Sequence, residues 1–480
     1  MKAPRSAYLQ ANREPLAGFL RLLAADFPYP SLLATDCSGM RYSVRRQSVD
    51  VRESSWSERG FVVRLYDGRL YHEHSFNALP RGKGGEPQGS GLESLAAEIR
   101  GRIERAAELS VQLASVPAFS EQPCSGNWQG EVEVLPDRVS VADTVERLTG
   151  LKDRACRRSR FLVDIEVRFE HVQVAKLFLS AGRDLEQSYI WSQGYLIPVV
   201  RRDGTVRRMY SSFSGLKGLE LIDEMEEKLE ETIEIAGQLL EAERIEPGDY
   251  EVILSPSVAG LLAHESFGHG VEMDMFVKGR AKAVEYLGKP VASPLVSLRD
   301  GARAAEQTGS YWFDDEGVLA GDTLVIDRGV FKTGISDLLS ALRLGAAPTG
   351  NGKRESFERK AYARMTNTFF TAGSDSLEQM IASISHGYLL EKFISGMEDP
   401  KNWGIQGEIL YAREIRDGRL TGRLVSPVIM SGYVPDVLKS VSMVSAGVEH
   451  YGSGMCGKGH KEYVKNSSGG PYMKTAMRLA

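Results

Sequence analysis

Apolar and polar positions alternate with a period of two in several short stretches of the chain. The alternation is clearest in FVVRLYDGRLYHEH from Phe61 and in FLVDIEVRFEHVQVAKLFLSAG from Phe161. This pattern predicts half-buried strands. Pairs of residues that favour tight turns interrupt the alternation and predict hairpins. These pairs are Asp67-Gly68, Asp203-Gly204, Arg328-Gly329 and Asp417-Gly418.

Helical spacing of apolar residues replaces the alternation in four other stretches. They are Pro15–Phe27, Leu92–Ser115, Leu219–Ile245 and Ser376–Phe393, of which Leu219–Ile245 is predicted to be the longest helix. Antiparallel hairpins together with long helices indicate an α+β fold rather than a wound parallel sheet.

A break in the pattern at Pro247-Gly248-Asp249 predicts the main division of the chain. We predict an N-terminal α+β domain with antiparallel hairpins and long helices over residues 1–248. The irregular segment 117–130 is a candidate sub-boundary within it. We predict that residues 249–480 form a β-rich C-terminal domain that carries the helix of the candidate site.

The stretch SPSVAGLLAHESFGHGVEMD, from Ser255 to Asp274, places two imidazoles and a carboxylate in an apolar helical pattern. His264 and Glu265 come near the end of the predicted helix, and His269 follows five residues after His264. Five residues turn a regular helix by about 140°, which is too far for two rings to share one ion.

We therefore predict that the helix stops or bulges between Phe267 and His269. Gly268 lies at this point, and a glycine can adopt the left-handed conformation that ends a helix. The chain would then turn His269 back toward His264. The first part of the helix, which is almost entirely apolar, is expected to be buried.

Two histidines leave a zinc ion short of ligands, because a catalytic zinc usually takes three protein ligands and keeps a fourth position for water. Cys456 is the preferred third ligand, since SGMCGKGH around it is rich in glycine and a metal lowers the thiol pKa so that it binds as thiolate. Glu265 then remains as the general base toward a zinc-bound water. The other candidates for the third ligand are His450, His460, Glu272 and Asp274.

Two other interpretations of the same residues stay open. The two histidines and Cys456 can be ordinary residues of a packed core. A metal-stabilised, non-catalytic binding subunit of a protease complex would have a closed site with four ligands, the fourth being Glu272 or His460.

Composition narrows the function classes. The 480 residues carry a formal net charge of −5, which argues against nucleic acid as the main partner. The four cysteines are far apart and follow no disulfide framework, so we expect a reducing cytoplasm. No signal peptide or membrane span is expected from the sequence. The acidic run Asp314, Asp315 and Glu316 is predicted to be a solvated turn.

Motifs in the second half resemble those of the TldD/PmbA family, on its TldD side. They are HESFGHGVEMD at His264, DDEG at Asp314, PTGNGKRES at Pro348, RMTNTFF at Arg364 and GMCGK around Cys456. The resemblance implies a cytoplasmic zinc metallopeptidase that cuts unfolded or peptide substrates. It also implies a homodimer, or a heterodimer with a PmbA-type chain.

The resemblance assigns roles to individual residues. His264 and His269 match the two histidine ligands of Zn2+, Cys456 matches the thiolate ligand, and Glu265 matches the general base. PmbA-type chains lack the H-E-x-x-x-H pattern, so its presence here indicates the catalytic member. The resemblance further implies that a substrate adds as a strand to a sheet edge, for which the residues from Arg364 onward are the candidates.

Overall fold

The structure of the protein is a computed structural model that describes residues 1–80, 88–109, 113–459 and 461–480. Among these residues, no helix is long and apolar enough to cross a membrane. Helices and strands of the first half are α1 (Ala7–Ala24), β1 (Tyr29–Val44), β2 (Val49–Glu53), β3 (Glu58–Tyr66), β4 (Tyr71–Phe76), α2 (Gln88–Leu109), β5 (Cys124–Gln129), α3 (Val141–Arg158), β6 (Leu162–Ser180), β7 (Arg183–Arg202), β8 (Thr205–Arg208), β9 (Ser211–Gly215), α4 (Leu221–Glu227) and α5 (Leu229–Gln238).

The described strands of the first half form one sheet in the order β4-β3-β1-β6-β7-β5, to which β2, β8 and β9 add. The long strands β6 and β7 pair antiparallel over most of their length, and only β5 joins the sheet in parallel. Helices α3, α4 and α5 pack on β6 and β7, and α1 packs with α2 and β1. The predicted α+β fold is confirmed.

The second half contains β10 (Gly248–Leu254), α6 (Pro256–Phe267), α7 (Met273–Val277), β11 (Leu298–Asp300), β12 (Thr323–Asp327), β13 (Val330–Phe331), α8 (Leu338–Leu344), β14 (Gly352–Lys353), β15 (Tyr362–Ala363), β16 (Asn367–Phe370), α9 (Leu377–Ala382), β17 (His386–Asp399), β18 (Gly404–Arg416), β19 (Arg419–Val425), β20 (Val428–Tyr433), α10 (Val434–Lys439), β21 (Met443–Val444), β22 (Glu449–Tyr451), β23 (Ser467–Gly470) and β24 (Met473–Leu479). Strand β24 pairs with both β20 and β10, so β10, β17, β18, β20 and β24 close into a ring.

A second sheet of this half has the order β13-β12-β11-β16-β23-β22. Helix α6 packs on β17 of the ring and on β16 and β23 of this sheet. Every residue of α6 except His264 is buried, as expected for a helix that is apolar on all sides. The helix is therefore held rigidly between two sheets, with its last turn at the candidate site.

All four predicted hairpins are present. They join β3 to β4, β7 to β8, β12 to β13, and β18 to β19 in antiparallel pairs. In the last three turns both central residues have positive φ, for example Asp203 at 50° and Gly204 at 84°. This geometry matches the twist of paired strands, which explains why a residue pair was sufficient to predict each turn.

Two helix predictions need correction. Leu219–Ile245 is not one long helix, because α4 and α5 are separated at Lys228, which has φ −93° and ψ 0°. Ser376–Phe393 begins as predicted, with a capping box at Ser376, but α9 ends at Ala382. His386–Asp399 is instead strand β17, which pairs with β10 and β18.

The acidic run is also not a solvated turn. Glu316 is 3% exposed and forms an ion pair with Arg64 of β3, and Asp315 is 6% exposed and forms an ion pair with Lys176 of β6. Arg64 also pairs with Glu73 of β4 at 2.7 Å. These buried ion pairs join the first half to the second. The predicted division at residues 248 and 249 stays a prediction.

Candidate metal centre

Helix α6 ends at Phe267, and a short 3-10 turn over His269–Val271 follows, so the predicted interruption is confirmed. The expected left-handed glycine is wrong, because Gly268 has φ −92° and ψ −77°. The structure requires glycine here for a different reason. A Cβ atom would lie 2.0 Å from Met365 Sδ and 2.3 Å from the His264 carbonyl oxygen.

The interruption brings the two imidazoles together. The ring centroids of His264 and His269 are 5.0 Å apart, with the planes at 89°. Cys456 Sγ lies 3.2 Å from His269 Nε2. One ligand atom from each of these three residues lies within 4.8 Å of the others. The structure thus places all three predicted ligands in one cluster, although Cys456 is 187 residues away from His269.

The other ring nitrogens are held by polar partners. Asn466 Nδ2 lies 3.2 Å from His264 Nδ1, and Glu272 Oε2 lies 3.4 Å from His269 Nδ1. The contact with Glu272 leaves His269 Nε2 as the nitrogen that faces Cys456 Sγ, and the contact with Asn466 leaves His264 Nε2 free to act as the ligand atom. A metal-binding histidine commonly has such a partner on its second nitrogen.

A buried arginine, Arg364, supports the sulfur. Its side chain is 0% exposed, and its Nη2 donates to Cys456 Sγ and to the Cys456 carbonyl oxygen, both at 3.0 Å. Its Nε donates to Glu272 Oε1 at 3.1 Å. Burial raises the pKa of the Cys456 thiol, but His264 and His269 beside it hold that pKa well below its ordinary value. The sulfur is therefore prepared as a thiolate.

Two carboxyl groups stand next to the cluster. Glu265 is 7% exposed, and its ligand atom lies within 4.8 Å of those of His269 and Glu398 on β17. Burial, together with the hydrogen-bonded Glu265, raises the pKa of Glu398 to about 7 despite the opposing effect of His269. Gly396 permits this approach, because a Cβ there would lie 2.7 Å from Glu265 Oε1.

The alternative ligands lie elsewhere or are engaged. Glu272 binds Arg364 and lies 3.1 Å from Lys458 Nζ. Asp274 pairs with Lys278 at 2.8 Å and also with Lys458. His450 packs edge-on against Phe369. His460 lies outside the described residues.

Three residues of the site were not predicted in their observed roles: Arg364, Glu398 and Asn466. Arg364 was expected near an exposed substrate edge, and this is wrong because strand β16, which follows it, lies between β11 and β23 with all four residues buried. Glu398 lies on a segment whose first part was predicted to be helical. Asn466 carried no signal beyond its proximity in sequence to Cys456.

Two cavities of about 520 and 590 Å3 adjoin the cluster. His264, Glu265, Met455 and Cys456 line both. Glu398 lines the smaller, and Tyr195, Tyr210 and Phe393 are among the residues of the larger. Glu265 is therefore accessible to a ligand in either cavity.

The donor set fits a borderline-soft divalent ion. Two imidazole nitrogens and one thiolate sulfur are ligands that zinc prefers, and three protein ligands beside an open cavity are typical of catalytic zinc sites. The fit rests on the short distances among His264, His269 and Cys456 and on the low pKa of the thiol.

Comparisons with known proteins agree with the motifs. Residues 247–477 match the model of the PmbA/TldA metallopeptidase C-terminal domain. A metalloprotease of Methanocaldococcus jannaschii is 28% identical over 341 residues, which cover 71% of this chain and 73% of that protein. A zinc metalloprotease TldD homolog of Saccharolobus solfataricus is 30% identical over 230 residues, 47% of this chain and half of that protein. The fold is similar to that of TldE from Thermococcus kodakarensis, with a TM-score of 0.71 at 18% identity, covering 97% of this chain and 99% of that one.

Proposed function

Since the chain belongs to the TldD/PmbA family of metallopeptidases, we propose that it is a zinc-dependent peptidase that hydrolyses unfolded or extended peptides, with Glu265 as the general base. His264, His269 and Cys456 would hold the zinc. The observation that carries this proposal is the convergence of these three side chains beside Glu265 at the junction of two cavities.

The roles of the protein groups follow from their positions. When bound, zinc supplies a Lewis acid that lowers the pKa of a water molecule to about 7. Glu265 takes a proton from the attacking water and passes it to the leaving amine. Glu398, which shares a hydrogen bond with Glu265, holds that carboxylate in place. Arg364 keeps the Cys456 sulfur turned toward the two rings.

The choice of zinc is supported by the donor set and by the Saccharolobus solfataricus relative, which is named a zinc metalloprotease. We propose a cytoplasmic location because all four cysteines are free thiols in the structure. A homodimer, or a heterodimer with a PmbA-type chain, is supported by the family and by the similarity of the fold to TldE.

The alternative function, a non-catalytic metal-stabilised subunit, called for a fourth protein ligand. Glu272 is a poor choice for that ligand because Arg364 and Lys458 already bind its carboxylate. This alternative still predicts that the chain binds the metal but cleaves no peptide, so one experiment that measures both properties decides between the two functions.

The experiment follows cleavage of an unfolded casein-type substrate after chelation and after zinc add-back, with metal content measured in parallel. We expect chelation to abolish cleavage and zinc to restore it. Glu265→Ala is expected to retain zinc and lose cleavage, whereas the exposed control Glu146→Ala keeps both. Normal cleavage by Glu265→Ala would rule out its role as the base, and zinc retention without cleavage in the unmutated chain would favour the alternative.

A further inference from the structure

A third cavity, which we call the lysine cavity, lies between the sheet of the first half and the loop around Lys353. It has a volume of about 560 Å3, and its lining includes Lys353, Lys465, Trp191 and Tyr311. Met455 lines this cavity and both cavities beside the metal cluster. The lysine cavity therefore adjoins the cavities of the candidate metal site at Met455.

Among the described residues, the ammonium groups of two lysines in this cavity donate hydrogen bonds only to uncharged acceptors. Lys353 Nζ donates to the Met365 carbonyl oxygen at 3.2 Å and to the Lys465 carbonyl oxygen. Lys465 Nζ donates to Gln193 Oε1 at 2.7 Å and to the Gly454 carbonyl oxygen at 3.0 Å. Within the part of the chain that the structure describes, neither lysine forms an ion pair.

A third lysine of the cavity, Lys176, has the carboxylate partner that Lys353 and Lys465 lack among the described residues. Lys176 lines the same cavity and pairs with the buried carboxylate of Asp315. A buried charge is costly unless it is paired, and among the described residues neither Lys353 nor Lys465 has a carboxylate within ion-pair distance. Burial lowers the pKa of each of these lysines to about 7. An anion that enters the cavity would supply the charge that they lack.

The other residues that line the lysine cavity indicate which kind of anion it can bind. Five acidic residues also line the cavity and would repel a dianion such as phosphate more strongly than a single carboxylate: Glu58, Asp314, Asp315, Glu355 and Glu358. The guanidinium of Arg354 is already paired with Glu73. The aromatic walls suit an apolar or peptide body next to a single negative charge, and the volume lies in the range of pockets for small ligands.

We propose that the lysine cavity binds a carboxylate, and that its occupant is the C-terminal carboxylate of a peptide whose chain passes Met455 to reach the metal cluster. This inference rests on the proposed peptidase function. Lys353 and Lys465 would each donate their remaining N–H to the carboxylate oxygens, and the residues that precede the C-terminus would lie along the aromatic walls.

The test compares two fluorescent peptides of identical sequence, one with a free C-terminal carboxylate and one with a C-terminal amide. Binding is measured by fluorescence anisotropy with the full-length Glu265→Gln chain, so that no cleavage is required. We expect the free acid to bind about tenfold tighter or more, because amidation leaves the buried ammonium groups unpaired. Equal binding of the two peptides would overturn the proposal.

Lysine variants test whether the preference for the free acid arises in the lysine cavity. Lys465→Met and Lys353→Met are each expected to remove it, while the exposed control Lys439→Met keeps it. Survival of the preference in a Lys465→Met chain with normal circular dichroism would place the carboxylate elsewhere and refute the site. Should both lysine variants fail to fold, the comparison of the free-acid and amidated peptides on the Glu265→Gln chain, which keeps both lysines, still tests the proposal.

A third peptide, amidated but with a penultimate aspartate, separates the sources of the carboxylate. Binding as tight as the free acid would refute the assignment to the C-terminus. Failure of this inference can be told apart from failure of the proposed function. A preference for the free acid without any zinc-dependent cleavage by the unmutated protein would refute the peptidase and leave the carboxylate site.

Discussion

Replacement of Gly268 by alanine tests whether close packing at the end of α6 builds the metal centre. Alanine adopts φ −92° without strain, so the substitution is compatible with the backbone conformation. Alanine also reduces the conformational freedom of the unfolded chain, which contributes about 0.4–1 kcal/mol in favour of folding. The added Cβ, however, would lie 2.3 Å from the His264 carbonyl oxygen and 2.0 Å from Met365 Sδ. Overpacking of this kind costs about 1–3 kcal/mol, so we expect a net loss of stability.

The loss is measured by urea denaturation of the metal-free protein, and zinc affinity is measured by competition with a chromophoric chelator. Zinc binding is expected to weaken as well, because the carbonyl that must move belongs to His264 itself. Gly150→Ala is the matched control, since Gly150 is an exposed residue within α3 where an added methyl group would meet no neighbouring atom within 4 Å, and we expect it to gain about 0.5–1 kcal/mol. A Gly268→Ala chain with unchanged stability and zinc affinity would refute the reasoning.

Two further predictions concern buried charges. Arg364→Met removes a partner of the Glu272 carboxylate, so we expect the free energy of unfolding to fall by about 3–5 kcal/mol. In the metal-free protein we also expect slower alkylation of Cys456 by iodoacetamide at pH 7, because the sulfur loses its contact with Arg364. The exposed control Arg343→Met should change neither quantity, and an unaltered alkylation rate in Arg364→Met would contradict the role of Arg364. Burial, followed by the nearby Glu316, raises the pKa of Asp337 to about 6, so the folded protein binds this proton more tightly than the unfolded chain and loses stability as the pH rises from about 4 to 6. Asp337→Asn should therefore gain roughly 2–3 kcal/mol relative to the unmutated protein at pH 8 and show little gain at pH 4, as measured by urea denaturation at both pH values; equal gains at the two would disprove the shift.

Structural elements that depend only on residues close together in the sequence were predicted correctly. Each hairpin turn was predicted from two residues because the required φ values belong to those residues alone. The end of α6 was predicted from spacing, since two histidines five apart cannot meet on a regular helix. The reason for the glycine was wrong because the atoms that exclude a side chain include Met365, which no sequence pattern places there.

Features that depend on distant partners were missed. His386–Phe393 was predicted to be the end of a helix, but pairing with β10 and β18 makes it part of strand β17. The acidic run looked solvated because its cations, Arg64 and Lys176, come from the first half of the chain. Arg364 was noticed as part of a motif, yet its contact with Cys456 Sγ joins residues 92 positions apart. Alternation and helical spacing contain no information about such contacts.

The ion pairs between Arg64 and Glu316 and between Lys176 and Asp315 have a consequence for protein engineering. A fragment cut at residue 249 would retain two inward-facing carboxylates and lose both of the cations that neutralise them. Water would have to enter the former interface, and Lys353, which lines the same cavity as Asp315, would become exposed to solvent. The half that carries the candidate metal site therefore depends on the first half, and a shortened protein has to include β3 and β6.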